Sequence, residues 1–180
     1  IYFAMKEIKG ESMEDLLRNI TRFPEMRPPL SHLLDIFLKI LDALSFAHSK
    51  GVVHRDLKPA NIMLGAHGEV LVLDWGIAIT KQEKSKEKNI TIEERNAQIS
   101  GRGHVPFQTM AGCVLGTPEY MPPEQAMGLR EEIDEQSDIY SIGIIMYQML
   151  TTHLPFVAAD PLDVLDLVVN INPLSPKALL

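Results

Sequence analysis

The sequence predicts an α+β domain, mainly helical with one small β-hairpin, and three features carry that reading. Two long segments, Leu33 to Ala47 and Ser137 to Leu150, repeat apolar residues at helical spacing. Two short β-type runs, Ile62-Met63-Leu64 and Val70-Leu71-Val72-Leu73, flank a turn from Gly65 to Gly68. The 180 residues, 46% hydrophobic and 23% charged, have the balance of one globular domain rather than of a disordered or fibrous chain.

In chain order, Ile1 to Met5 reads as a short buried strand, followed by polar Lys6-Glu7 and a turn at Gly10. Ser12 is placed to cap a helix through Leu16-Leu17 toward Ile20, and Pro24, Pro28 and Pro29 then break the chain. The next helix carries Leu33, Leu34, Ile36, Phe37, Ile40, Leu41, Leu44 and Ala47, a wide stripe that predicts extensive burial, and Gly51 stops it. Val52-Val53 is a further short β-type run. Between Lys81 and Arg95, Lys and Glu interleave with almost no apolar anchor, the composition of a solvated loop, and Gly101, Gly103 and Gly112 prolong it. Order returns at Gly116-Thr117-Pro118-Glu119-Tyr120. The Ser137 to Leu150 helix is apolar nearly all round, which predicts a place at the centre of the domain. Asp160-Pro161 supplies an N-cap and a first-turn proline for a helix through Val168.

The net charge of −7 argues against nucleic acid or an anionic membrane as the main partner. A single cysteine, Cys113, rules out an internal disulfide and a cysteine-built metal site, and fits a reducing compartment. No apolar run has the length to cross a bilayer. The first residues lack the basic region and cleavage pattern of a signal peptide. The chain starts without Met in what reads as the middle of a strand, as a fragment does.

The chemistry concentrates in His54-Arg55-Asp56-Leu57-Lys58-Pro59-Ala60-Asn61 and Asp74-Trp75-Gly76. Phosphoryl transfer to a hydroxyl needs a base to orient the hydroxyl, cations against the phosphate charge and ligands for Mg²⁺. Asp56 suits the first task, Lys58 the second, and Asn61 with Asp74 offers hard oxygen ligands. A hairpin between Asn61 and Asp74 brings those two ligands together.

These residues resemble the protein-kinase catalytic loop H-R-D-L-K-P-x-N and the metal-binding D-F-G motif. Gly116 to Glu124 resembles the end of a kinase activation segment, with Pro122-Pro123-Glu124 where A-P-E is usual, and Asp138 to Gly143 resembles the start of the central helix of the kinase C-lobe. Lys58 and Thr117 match the Ser/Thr class; Asp-Trp-Gly, Pro-Glu-Gln-Ala and Gln-Ser-Asp-Ile-Tyr-Ser look like bacterial members of it. The resemblance implies a protein-kinase-like fold with residues 1–10 as the last N-lobe strand and hinge, 11–180 as a truncated C-lobe, and 81–112 as a long activation-segment insertion.

The same resemblance makes Met5 the gatekeeper of an ATP adenine pocket, with the backbone of Lys6 and Ile8 on the adenine edge and Met63 below the ring. It gives Thr117 a share in the substrate-hydroxyl network of Asp56 and Lys58, His54 a packed spine position, and Asp138 a brace on the catalytic loop. Arg55 would pair with a phosphate in the activation segment, on Thr109 first, with Thr91 and Ser100 behind it. Trp75 replaces the usual Phe and needs a partner for its indole N–H if buried.

Two family features lie outside the chain: the Gly-rich loop, lysine and glutamate of the N-lobe, and the arginine that normally meets Glu124. Gly101-x-Gly103 is no substitute for the first. The expectation is a catalytic-domain fragment, weak in ATP binding and turnover by itself, of an ATP- and Mg²⁺-dependent Ser/Thr protein kinase. Its partners would be proteins with Ser/Thr acceptors, with self-association for autophosphorylation, and its kinase domain would work in the cytoplasm. The alternative is a pseudokinase that binds or scaffolds without transferring phosphate; a small-molecule kinase is disfavoured by the Gly116 to Glu124 segment.

Overall fold

The structure, a computed structural model, describes residues 9–75, 79–80 and 117–179. The strand read at Ile1 to Met5, the hinge positions Met5, Lys6 and Ile8, the Lys/Glu-rich run and Thr109 lie outside the described residues.

Ser12 ends a short strand, β1 (Glu11–Ser12), and caps helix α1 (Met13–Arg22): its hydroxyl accepts from the Asp15 N–H at 3.1 Å and donates to the Asp15 carboxylate at 2.6 Å. Met13, Leu16, Leu17 and Ile20 recur at helical spacing and are all buried. Each such side chain contributes roughly 1.5–3 kcal/mol by leaving water. Pro24–Met26 forms a single 3₁₀ turn, and Pro29 stands just ahead of α2 (Leu30–Ser49), where its missing N–H costs no helical bond. Gly51, at φ 72°, takes the left-handed conformation that ends this helix.

α2 is less enclosed than its sequence predicts. Leu33, Ile36, Ile40 and Leu44 are buried, but Leu38 and Phe46 are exposed. The helix packs against β4, β2 and the long C-terminal helix on one side, and no described residue covers the other.

The hairpin forms as the sequence predicts. β3 (Ile62–Leu64) and β4 (Val70–Val72) pair antiparallel, Ile62 opposite Val72 and Leu64 opposite Val70. Gly68, at φ 82°, turns the chain between them. β1, too short to show a β-type run in the sequence, pairs with the free edge of β3 and makes the sheet three-stranded in the order β1-β3-β4. A second small sheet joins β2 (Val52–Val53) to β5 (Ile79–Thr80), so the chain after Asp74 returns to the strand before His54.

Among the described residues three α-helices follow: α3 (Pro123–Ala126), α4 (Glu135–Thr151) and α5 (Pro161–Asn170). The Asp160 carboxylate caps α5 by accepting the Leu162 N–H at 2.8 Å. α4 is central. Ile142, Ile145 and Met149 join the core formed with α1 and α2, while Ile144 joins a second core with Met121, Phe156, Val164, Leu165 and Val168. Its surface is not apolar all round, however: Ile139 is 47% exposed, and Ser137, Asp138 and Ser141 are buried. Those buried polar side chains hold the loops of the candidate site.

Candidate active site

Asp138 is 1% exposed and accepts three hydrogen bonds. The N–H of His54 reaches its Oδ2 at 2.8 Å, the N–H of Arg55 its Oδ1 at 2.9 Å, and His48 Nε2 its Oδ2 at 2.8 Å. A buried carboxylate is tolerable only with such partners. The bonds fix the backbone where it is least relaxed: Arg55 sits at φ 71°, a left-handed conformation that a long side chain rarely adopts.

His54 has no exposure, and both ring nitrogens are engaged. Nδ1 accepts the Asp56 N–H at 3.3 Å, which leaves the proton on Nε2, 2.9 Å from the Leu73 carbonyl. The Trp75 ring lies against the imidazole with centroids 4.6 Å apart, and its indole N–H donates to the Val72 carbonyl at 3.0 Å. The larger ring thus fills its place with its donor satisfied.

Around Asp56 the distances are short. Lys58 Nζ donates to Asp56 Oδ2 at 2.8 Å, and Asn61 Nδ2 donates to the Asp56 carbonyl at 2.9 Å. Committing the amide nitrogen in this way leaves the Asn61 side-chain oxygen for another partner. The Leu73 N–H donates to the Asn61 carbonyl at 2.8 Å, extending the β3–β4 ladder by one step. Asp74, the next residue, is exposed and stands at φ 62°. One amide oxygen and one carboxylate form a hard donor set suited to Mg²⁺, which commonly takes one or two protein carboxylates and completes its shell with water and phosphate. Among the described residues no group of three His, Cys, Asp or Glu side chains is placed to hold a metal.

Thr117 lines a small pocket together with Arg55, Asp56 and Tyr120. The segment after it is fastened to α4: Ser141 Oγ donates to the Tyr120 carbonyl at 2.8 Å, and the Tyr120 hydroxyl donates to Gln148 at 2.7 Å. Glu124, in α3, accepts from the Ser137 hydroxyl, which itself accepts the Asp134 N–H at 3.2 Å. A serine from the first turn of α4 thus holds the carboxylate for which the resemblance implies an arginine partner. Met63 is half-buried on β3.

Sequence reasoning missed His48, Ser137, Ser141 and Gln148. Each lies on a helix at a spacing that carries no local signal, and only the packing of α2, of the Pro118–Tyr120 turn and of α3 against α4 gives it a partner.

Over residues 1–171 the sequence matches the family described as protein kinase domain. The chain belongs to that family. Three relatives share the kinase domain and carry the name Serine/threonine-protein kinase PknD. The protein of Chlamydia trachomatis serovar D is 39% identical over 168 residues, that of Chlamydia muridarum 38% over 164, and that of Chlamydia caviae 36% over 163. Each alignment covers 87% of this chain but only 17% of the relative.

Proposed function

We propose that this chain is the catalytic part of a Ser/Thr protein kinase that moves the γ-phosphate of ATP to protein Ser and Thr hydroxyls with Mg²⁺. The observation that supports this most is the bond from the Leu73 N–H to the Asn61 carbonyl. It sets Asp74 beside the loop in which Asp56 and Lys58 meet at 2.8 Å. The Ser/Thr assignment draws support from Lys58 and Thr117 and from the names of the relatives.

In this reading the acceptor hydroxyl donates its hydrogen bond to the Asp56 carboxylate, which aims the oxygen at phosphorus and takes the proton as the new P–O bond forms. The bond from the γ-phosphorus to the bridging oxygen breaks, ADP leaving with that electron pair. Lys58 exchanges its contact with Asp56 for an oxygen of the moving phosphoryl group. Asn61 and Asp74 would hold Mg²⁺, whose charge offsets that of the phosphates. Thr117 shares the hydroxyl network, and Met63, with Met5, Lys6 and Ile8, would form the adenine pocket. Arg55 would meet a phosphate on Thr109 and order the activation segment. The kinase domain would work in the cytoplasm, where ATP is supplied. Residues 1–10 and 11–180 would be hinge and C-lobe, joined in the parent protein to the rest of the domain.

The test is phosphate transfer from labelled ATP by the full-length parent, to itself and to a basic protein, beside an Asp56→Asn control. Incorporation on Ser and Thr that falls roughly 10²–10⁴-fold in the variant is the expected result. Nucleotide binding without any incorporation would move the function to a scaffold.

A further inference from the structure

Behind the loop of Asp56, where α3 and α4 close on it, lies a small cavity of about 10 Å³ to which Arg55, Asp56, Gln125 and Ser141 contribute. That is about the room the centre of one water molecule needs, and nothing larger fits. Gln125, on α3, turns an unsatisfied group toward this interior: its side-chain oxygen, Oε1, is closed off from solvent and receives no hydrogen bond among the described residues. A buried amide oxygen without a donor raises the free energy of the state that holds it.

The neighbouring side chains are poor sources of that donor. Ser141 commits its hydroxyl proton to the Tyr120 carbonyl at 2.8 Å, and the Tyr120 hydroxyl donates to Gln148 at 2.7 Å. The Asp56 carboxylate, held by Lys58 at 2.8 Å, has only acceptors. A water brings two protons and two lone pairs to such a place, and a bridge through it is nearly as good as a direct bond.

We propose that this cavity binds one ordered water and that Gln125, by holding it, is a positioning residue for Asp56. The water donates one proton to Gln125 Oε1 and the other to a lone pair of Ser141 Oγ. Its own oxygen accepts an N–H of the Arg55 guanidinium, which carries several. Three bonds are what a buried water commonly makes. α3, α4 and the loop are joined at that point, and the residue next to Asp56, held at φ 71°, gains a side-chain anchor beside its backbone bond to Asp138. The catalytic half of the proposal rests on the kinase reading above; the water site does not.

The experiment uses the full-length parent and has two arms. Crystals of the parent are expected to show one ordered water in the cavity, within hydrogen-bond distance of Gln125 Oε1. Gln125→Met, unbranched and of similar length but without the amide, loses it, and Gln125→Glu, which keeps an acceptor oxygen, retains it. In the second arm, phosphate transfer from ATP falls roughly five- to tenfold in kcat for Gln125→Met, with KM for ATP unchanged, and recovers in Gln125→Glu. A loss of packing alone would lower the melting temperature of Gln125→Met without this split or this rescue. A parent cavity without water, or a water not bonded to Gln125, overturns the proposal, and this holds even if Gln125→Met does not fold. A folded Gln125→Met with the parental kcat overturns the positioning role. If the parent transfers no phosphate, the kinase reading is what fails, and the crystals alone decide the water site.

Discussion

Asp138 and His48 are 90 residues apart in sequence and 2.8 Å apart in space, and the carboxylate that joins them also holds the peptide N–H groups of His54 and Arg55. One buried side chain on α4 therefore fixes the end of α2 and the entry to the loop that carries Asp56. The left-handed Arg55 is held by this arrangement rather than by local preference.

Removing that carboxylate should cost more than its size suggests. Asp138→Ala leaves two backbone donors at the loop without partners, each worth about 1–3 kcal/mol when buried, and leaves His48 facing a void. A loss of roughly 3–5 kcal/mol is expected, read as a lower urea midpoint with an unchanged slope. Asp138→Asn keeps one acceptor and should lose less. If both variants unfold at the parental midpoint, the brace contributes nothing.

The elements were legible because their signals are local. Ser12 before Met13, Asp160 before Pro161 and Gly51 after Ser49 mark helix ends by chemistry that needs no distant partner. The hairpin likewise declares itself through its turn. β1 was invisible: two residues, Glu11 and Ser12, are a strand only because β3 presents a free edge. In the site, Asp56, Lys58, Asn61 and Asp74 stand out as residue types in order, but His48 and Ser137 acquire meaning only from helices packed across long sequence separations. Exposure of Ile139 and Leu34 shows the converse error, in which an apolar residue at the right spacing implies burial that the described neighbours do not supply.

Gly10 allows β1 to reach β3. Its φ is 151°, and a Cβ there would stand 2.2 Å from the Leu64 carbonyl oxygen, a backbone atom that cannot swing away. Gly10→Ala should part β1 from β3 or cost about 1–3 kcal/mol in strain. Faster amide hydrogen exchange at Glu11 and Leu64, with the β3–β4 bonds still protected, is the expected signature. Unaltered exchange at both residues would contradict it.

Alkaline pH should weaken the fold through Tyr140. Burial first, and the charge of Glu124 second, push its hydroxyl from 10.0 up to about 12. The folded value is raised, so the unfolded chain releases the proton first; the stabilisation is complete below pH 10 and falls as pH climbs toward 12. Tyr120 is raised in the same direction. Urea midpoints measured across this interval should decline in the parent and decline less in Tyr140→Phe. Parallel curves for the two proteins would show that Tyr140 carries no part of the effect.

Asp74 and Asn61 give the proposed metal role its sharpest test, because they differ in what else they hold. Asp74 is exposed and followed in the chain by Trp75, whose ring is anchored by its own bonds to Val72 and against His54. Asp74→Asn should therefore leave the fold intact while weakening ATP binding in the presence of Mg²⁺ by roughly tenfold to a hundredfold, with little change when Mg²⁺ is chelated. Asn61 is 8% exposed and tied to the Asp56 carbonyl at 2.9 Å, so Asn61→Ala should lose both metal-dependent binding and stability. Asn61→Asp restores an oxygen ligand but removes that donor, placing a carboxylate against a carbonyl and against Asp56; it should recover Mg²⁺-dependent affinity better than it recovers the melting temperature. Calorimetric titration of the full-length variants with ATP, with and without Mg²⁺, separates these outcomes. Equal losses with and without the metal in Asp74→Asn would mean that this carboxylate acts on the nucleotide or the loop and not through a cation.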